Sequence, residues 1–111
     1  MNEIFTCNVV LDSDPAVAYL QGELDSCTGE TLLSELAPLI KSGRDVVVNF
    51  ADLSFVSVTS LILLDRLAQF VSGKGGSLCL ADPSAVTRRL LDITGLADRF
   101  TIQADGALTS V

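Results

Sequence analysis

The chain has 111 residues, 49% apolar and 19% charged, and its fourteen acidic and seven basic residues give a formal charge of −7. That size suits one compact domain, expected over residues 1–111, and the apolar content excludes a disordered chain. The negative surface repels nucleic-acid phosphates and anionic headgroups over a Debye length of about 8 Å, and one Tyr with no Trp leaves no stacking platform for bases.

Ile4 to Leu11 reads as a strand and Asp12-Ser13-Asp14-Pro15 as a turn, because Asp and Ser bond their own backbone and Pro presets φ. Ala16 to Gln21 is the second strand, and the short connection makes the pair antiparallel. Gly22-Glu23-Leu24-Asp25 is expected as a loop, with Ser26 or Thr28 capping the helix that follows. That helix carries Leu32, Leu33, Leu36, Leu39 and Ile40 on one face, and Pro38 is expected to kink or loosen its last turns. Lys41-Ser42-Gly43-Arg44 ends it, with cations where the helix dipole favours them.

Val46 to Phe50 is a short apolar run, the pattern of a strand covered on both faces. A polar corner follows, then a helix from Thr59 to Val71 with Leu61, Leu64, Ala68 and Val71 inward. Leu63, Leu67 and Phe70 widen that stripe and predict packing on more than one side. Gly73-Lys74-Gly75-Gly76 ends the helix and Ser77 to Ala81 is a strand. Asp82-Pro83-Ser84 reads as a helix start with a capping carboxylate and Pro at the first helical position. Val86, Leu90 and Ile93 form the expected inward stripe, Gly95 the C-cap and Arg99 to Ile102 the last strand, with a final helical turn expected over Asp105 to Ser110. The order β-β-α-β-α-β-α-β predicts an α/β domain, a mixed and mostly parallel sheet with helices packed against it.

Chemistry finds few footholds. There is no histidine, the commonest general base, and no base lies near Ser57, Thr59 or Ser60 in the sequence to activate them. Asp92, Glu30 and Glu35 read as solvated helix-face charges, so no enzyme activity is expected. Cys7, Cys27 and Cys79 are too few and too scattered for a zinc site and read as free thiols, so neither metal nor cofactor is expected. Gly73-Lys74-Gly75-Gly76-Ser77 lacks phosphate-loop spacing and leads from helix to strand, the reverse of that motif. No apolar run approaches the roughly 20 residues that cross a bilayer, and the N-terminus lacks a secretory layout, so a cytoplasmic protein is expected. The Ser57 corner is the exception to this blandness. Ser57 is a natural N-cap, and Val58, Thr59 and Ser60 fall in the first helical turn, where free N–H groups and the positive dipole end collect.

Three segments in order resemble the STAS domains of the anti-sigma factor antagonists. They are Gly22-Glu23-Leu24-Asp25 with Thr28 and Glu30-Thr31-Leu32; Val46 to Phe50 with Asp52-Leu53-Ser54-Phe55; and Ser84-Ala85-Val86, Arg89-Leu90-Leu91 and Thr94-Gly95-Leu96. The family's switch reads Asp-Ser-Ser-Gly, its first Ser being the usual phosphate acceptor. This chain has Ser57, Val58, Thr59 and Ser60 at those positions and matches none of the four. Val58 has no oxygen to phosphorylate; Thr59 or Ser57 is the substitute candidate, although one residue along a helix turns a side chain by about 100°.

The resemblance implies docking onto an anti-sigma factor of the kinase-like ATPase fold, which frees a sigma factor. Phosphorylation of the family's acceptor adds nearly two negative charges and breaks such a complex. The implied contact set is Asp25, Ser26, Cys27 and Thr28 on one loop, with Ser57, Val58, Thr59, Ser60 and Ile62 on the other corner. Val58 and Ile62 supply apolar contact, and Ser57, Thr59 and Ser60 supply hydrogen bonds at the rim. Cys27, beside the first loop, is a candidate for redox control. Two other roles compete: an accessory subunit of a membrane lipid ABC transporter and a nucleotide-binding regulator. Oligomeric state is left open.

Overall fold

Each of the three long helices of this chain leaves one strand and returns the chain to the next place in a single sheet. The computed structural model describes residues 4–103. Within them the sheet runs β1 (Thr6–Val10), β2 (Ala16–Leu24), β3 (Val46–Val56), β4 (Leu78–Ala81) and β5 (Thr101–Gln103), side by side in that order. β1 is antiparallel to β2, and every later pair is parallel. Helices α1 (Ser26–Lys41), α2 (Val58–Ser72) and α3 (Ala85–Thr94) make the crossovers, and a 3-10 turn, Leu96–Arg99, leads into β5. All three crossovers step the same way across the sheet, so right-handed connections put all three helices on one face.

The core lies between that face and the helices. Ala16, Ala18, Leu20 and Leu24 alternate along β2, Val46, Val48 and Phe50 along β3, and all are buried. Leu32, Leu36, Leu39 and Ile40 meet them from α1, and Leu61, Leu64, Leu67 and Val71 from α2. On the opposite face, Tyr19 and Gln21 are exposed, as the period of 2 in a strand requires.

Several sequence expectations shift. Gly22 to Leu24 is no loop, because β2 continues through it alongside β3. Gly22 is required there: its φ is +96°, and a Cβ would stand 2.7 Å from the Ile4 carbonyl oxygen. β3 likewise runs on to Val56, so the polar stretch after Phe50 is strand until Ser57. α1 continues past Pro38 to Lys41. Leu33, expected inward, lies at the surface, and so does Phe70 at 56% exposure, its ring facing the Lys74 ammonium at 5.5 Å.

The start of α3 is also displaced. Asp82 is not the cap: it sits at φ +54° and its N–H donates to the Gln103 carbonyl at 2.8 Å. Ser84 caps instead, its hydroxyl accepting from the Thr87 N–H. The inward stripe is therefore Thr87 and Leu91, with Leu90 partly buried, and Val86 and Ile93 face solvent at 72% and 71% exposure. Gly95 closes the helix at φ +78° as expected. Arg99 belongs to the 3-10 turn, and its guanidinium grips Asp65 of α2 at 3.1 and 3.2 Å. The turn expected over Asp105 to Ser110 lies outside the described residues. Among the described residues, no helix is long and apolar enough to cross a membrane.

Candidate functional site

Two neighbouring parallel strands must release their chains at the same end of the sheet. β2 and β3 stay paired to their last residues, Leu24 against Val56, and the entrances of α1 and α2 therefore open side by side. The Leu24 carbonyl ties them together. It accepts the Ser57 N–H at 2.9 Å and lies 3.3 Å from the Ser60 hydroxyl.

The α1 entrance is capped by Asp25, neither by Ser26 nor by Thr28 alone. One Asp25 carboxylate oxygen accepts the N–H groups of Cys27 and Thr28, both at 2.9 Å. The Thr28 hydroxyl accepts the Asp25 N–H at 2.8 Å and donates to the Glu23 carbonyl at 2.8 Å, which completes a capping box. The Thr28 N–H bond above all, partly offset by desolvation, holds the Asp25 carboxyl below its ordinary value of 3.8. Thr28 and one Asp25 carboxylate oxygen thus serve the cap, while Ser26 and Cys27 are exposed.

The α2 entrance has no charge of its own. Ser57 is the N-cap, its hydroxyl accepting the Ser60 N–H at 3.1 Å. The Ser60 side chain turns inward at 2% exposure and donates to the Ser57 carbonyl at 2.7 Å. Ser60 therefore supplies no hydrogen bond at the rim, contrary to expectation, because backbone carbonyls of Ser57 and Leu24 claim its hydroxyl first. Val58 and Ile62 are outward at 36% and 42% exposure, and Thr59 is exposed with them.

Between the two entrances lies a hollow of about 430 Å³. Asp25, Ser26, Thr59, Ser60 and Ile62 line it, and so do four residues the sequence did not single out: Glu30, Leu33, Leu63 and Arg66. The signal for Leu33 and Leu63 was a surplus of apolar residues on α1 and α2, beyond what one inward stripe needs; no local pattern marked Glu30 or Arg66.

The arrangement offers surface and little reactivity. Among the described residues the Ser57 hydroxyl has only the Ser60 N–H and the Ser60 hydroxyl, 3.2 Å away, as partners, and neither is a base. Among the described residues no group of three or more His, Cys, Asp or Glu side chains is gathered to hold a metal ion. The three cysteines are free thiols. Burial, with Glu35 nearby, pushes Cys7 up to about 11, and burial with Asp45 nearby also raises Cys79, so both stay protonated at neutral pH.

Comparison with known proteins agrees with this fold. The model of the STAS domain family matches residues 7–107. The anti-sigma-B factor antagonist of Bacillus subtilis (strain 168) is 35% identical over 85 residues, which span 77% of this chain and 78% of that protein. An anti-sigma factor antagonist from Mycobacterium paratuberculosis has the same fold, with a TM-score of 0.82 at 23% identity over 97% of this chain and 94% of that one. The Bacillus cell fate determinant SpoIIAA, solved in its phosphorylated form, superimposes with a TM-score of 0.70 at 20% identity over 95% of this chain and 97% of that one.

Proposed function

The chain belongs to the STAS domain family, and from that premise we propose that it is an anti-sigma factor antagonist, a binding protein that occupies an anti-sigma factor and so frees a sigma factor. The partner on this reading is an anti-sigma factor of the kinase-like ATPase fold. The observation that carries the proposal is the outward Val58 side chain on the first turn of α2, with Thr59 and Ile62 beside it and Ser26 across the hollow. An apolar centre with hydroxyls at its edge is the composition of a protein contact, and nothing in it makes or breaks bonds.

Val58 stands where the family's acceptor serine stands, so the ordinary phosphate off-switch is absent at that position. Of the two substitutes, Ser57 uses its hydroxyl to cap α2, whereas Thr59 is open to solvent. Phosphorylation of Thr59 would place its charge on a different bearing from that of a residue at 58, about 100° around the helix. The protein is then a constitutive antagonist, controlled by its abundance.

Affinity capture against the anti-sigma factors of the source cell, followed by calorimetric titration, tests the reading. The wild type should bind one of them, and Val58→Asp should bind it at least about tenfold more weakly, since an unpaired charge enters the contact. Equal affinity of the two proteins would remove Val58 from the interface. Mass spectrometry of the complex with ATP should find residues 57–60 unmodified; stoichiometric phosphate on Thr59 would restore a switch.

A further inference from the structure

The hollow at the helix entrances does not stop there. It continues along the seam between α1 and α2 into a groove of about 280 Å³, with Leu33 and Arg66 lining both. Ala37, Ile40, Leu67 and Phe70 form the walls and floor of the continuation, and the small Ala37 side chain gives it depth. No carboxylate lines this part, although the chain has twice as many acidic as basic residues. The charges at its edge are Lys41 and Arg66, with Lys74 beyond them over the Phe70 ring. None of the three has a carboxylate partner within ion-pair distance among the described residues, where Arg88 pairs with Asp92 and Arg99 with Asp65.

Dipole compensation explains Lys41 in the last turn of α1, but not Arg66 in the middle of α2. It does not explain Phe70 at 56% exposure and Leu33 at 36% beside them, with the apolar seam left open between. The Lys74 contact stabilises the exposed Phe70 ring only modestly.

We infer that this α1–α2 groove receives an amphipathic helix of the partner whose apolar face fills the seam and whose flanking Asp or Glu residues meet Lys41, Arg66 and Lys74. This rests on the reading that a protein docks at the helix entrances, and it names a second, distinct contact on that same partner. Two parallel helices offer a third helix a ready groove, filled by residues at i, i+3, i+4 and i+7 spacing. From Glu30 to Lys41, α1 rises about 16 Å, which matches roughly three turns of a docking helix. The charge pattern fixes direction as well as place. Asp25 and Glu30 line only the entrance end and favour basic groups there, Lys41 lines only the other end and favours acidic ones, and Arg66 sits between them, lining both.

Calorimetry with the captured anti-sigma factor separates the two contacts. Lys41→Glu and Phe70→Ser alter exposed side chains that line the groove and not the entrance hollow, so circular dichroism should show both variants folded. Each is expected to lower affinity about tenfold, and Lys41→Glu should also flatten the salt dependence. If Val58→Asp weakens binding while both groove variants match the wild type, the groove inference is overturned and the antagonist reading stands. If the groove variants weaken binding and Val58→Asp does not, the groove stands and the entrance loses its role.

A probe independent of the partner is an amphipathic peptide of about 14 residues with a Leu face and Glu flanks, added to isotope-labelled protein. Resonances of Leu33, Ala37 and Phe70 should shift, and a Leu/Lys peptide of the same design should leave them in place. Equal shifts with both peptides, no shift with either, or shifts with decanoate alone would each overturn the inference.

Discussion

The entrances of α1 and α2 face the same physical problem, four unsatisfied N–H groups at the end of a strand, and they solve it differently. At α1 a carboxylate and a threonine hydroxyl reciprocate, and the preceding strand is braced by a glycine at a φ that other residues avoid. At α2 one serine caps, a second serine folds inward, and what remains outside is Val58, Thr59 and Ile62. The first junction is built to hold its shape, while the second presents a face. A docking surface needs both, because an apolar patch discriminates between partners only when its frame is fixed.

The contrast can be broken at several points. The largest effect is expected from Gly22→Ala, which puts a Cβ against the Ile4 carbonyl at a φ that other residues avoid, and it should lower the unfolding free energy in urea by about 2 kcal/mol. Val58→Asp should cost about 1.4 kcal/mol of partner affinity by titration and leave the urea midpoint in place. Ser57→Ala removes the α2 cap and should cost about 1 kcal/mol of stability in the same urea experiment. Thr59→Ala touches no internal hydrogen bond of the entrance and should stay within about 0.5 kcal/mol of the wild type.

The smallest effect is a pH dependence. The folded state holds Asp25 below 3.8, so its carboxylate stabilises the protein above that pH, and the contribution fades as acid protonates it. The stability difference between wild type and Asp25→Asn should therefore be present at pH 6 and shrink as pH falls below 3.8, a trend that urea midpoints across the acid range would check. A difference that grew on acidification would mean the cap is not what ionised Asp25 supports.

Much of this was legible in the residues themselves. The strand-helix order and the Ser57 cap follow from local chemistry, because period, turn residues and capping preferences act within a few positions. The bearing of Ser60 does not, since it depends on the Leu24 carbonyl, 36 residues away. The extension of β2 through Gly22 was hidden for the same reason: glycine reads as a turn until a neighbouring strand claims it. On α3, moving the cap from Asp82 to Ser84 accompanied a rotated stripe, so that Thr87 and Leu91 face inward in place of Val86 and Ile93. Leu33 and Phe70 looked like core by spacing, and only the packing of α1 against α2 reveals that they stand outside it. Val58 and Ile62, by contrast, lie outward on the first turns of α2.

The shared Leu24 carbonyl has a dynamic corollary. Helix ends ordinarily fray one at a time, on their own clocks. Here the amide of Ser57, which caps α2, cannot swing free without releasing the last rung of β2, so the two ends should open as a single event, slower than either alone. A visitor at this corner would meet a threshold that yields all at once or not at all.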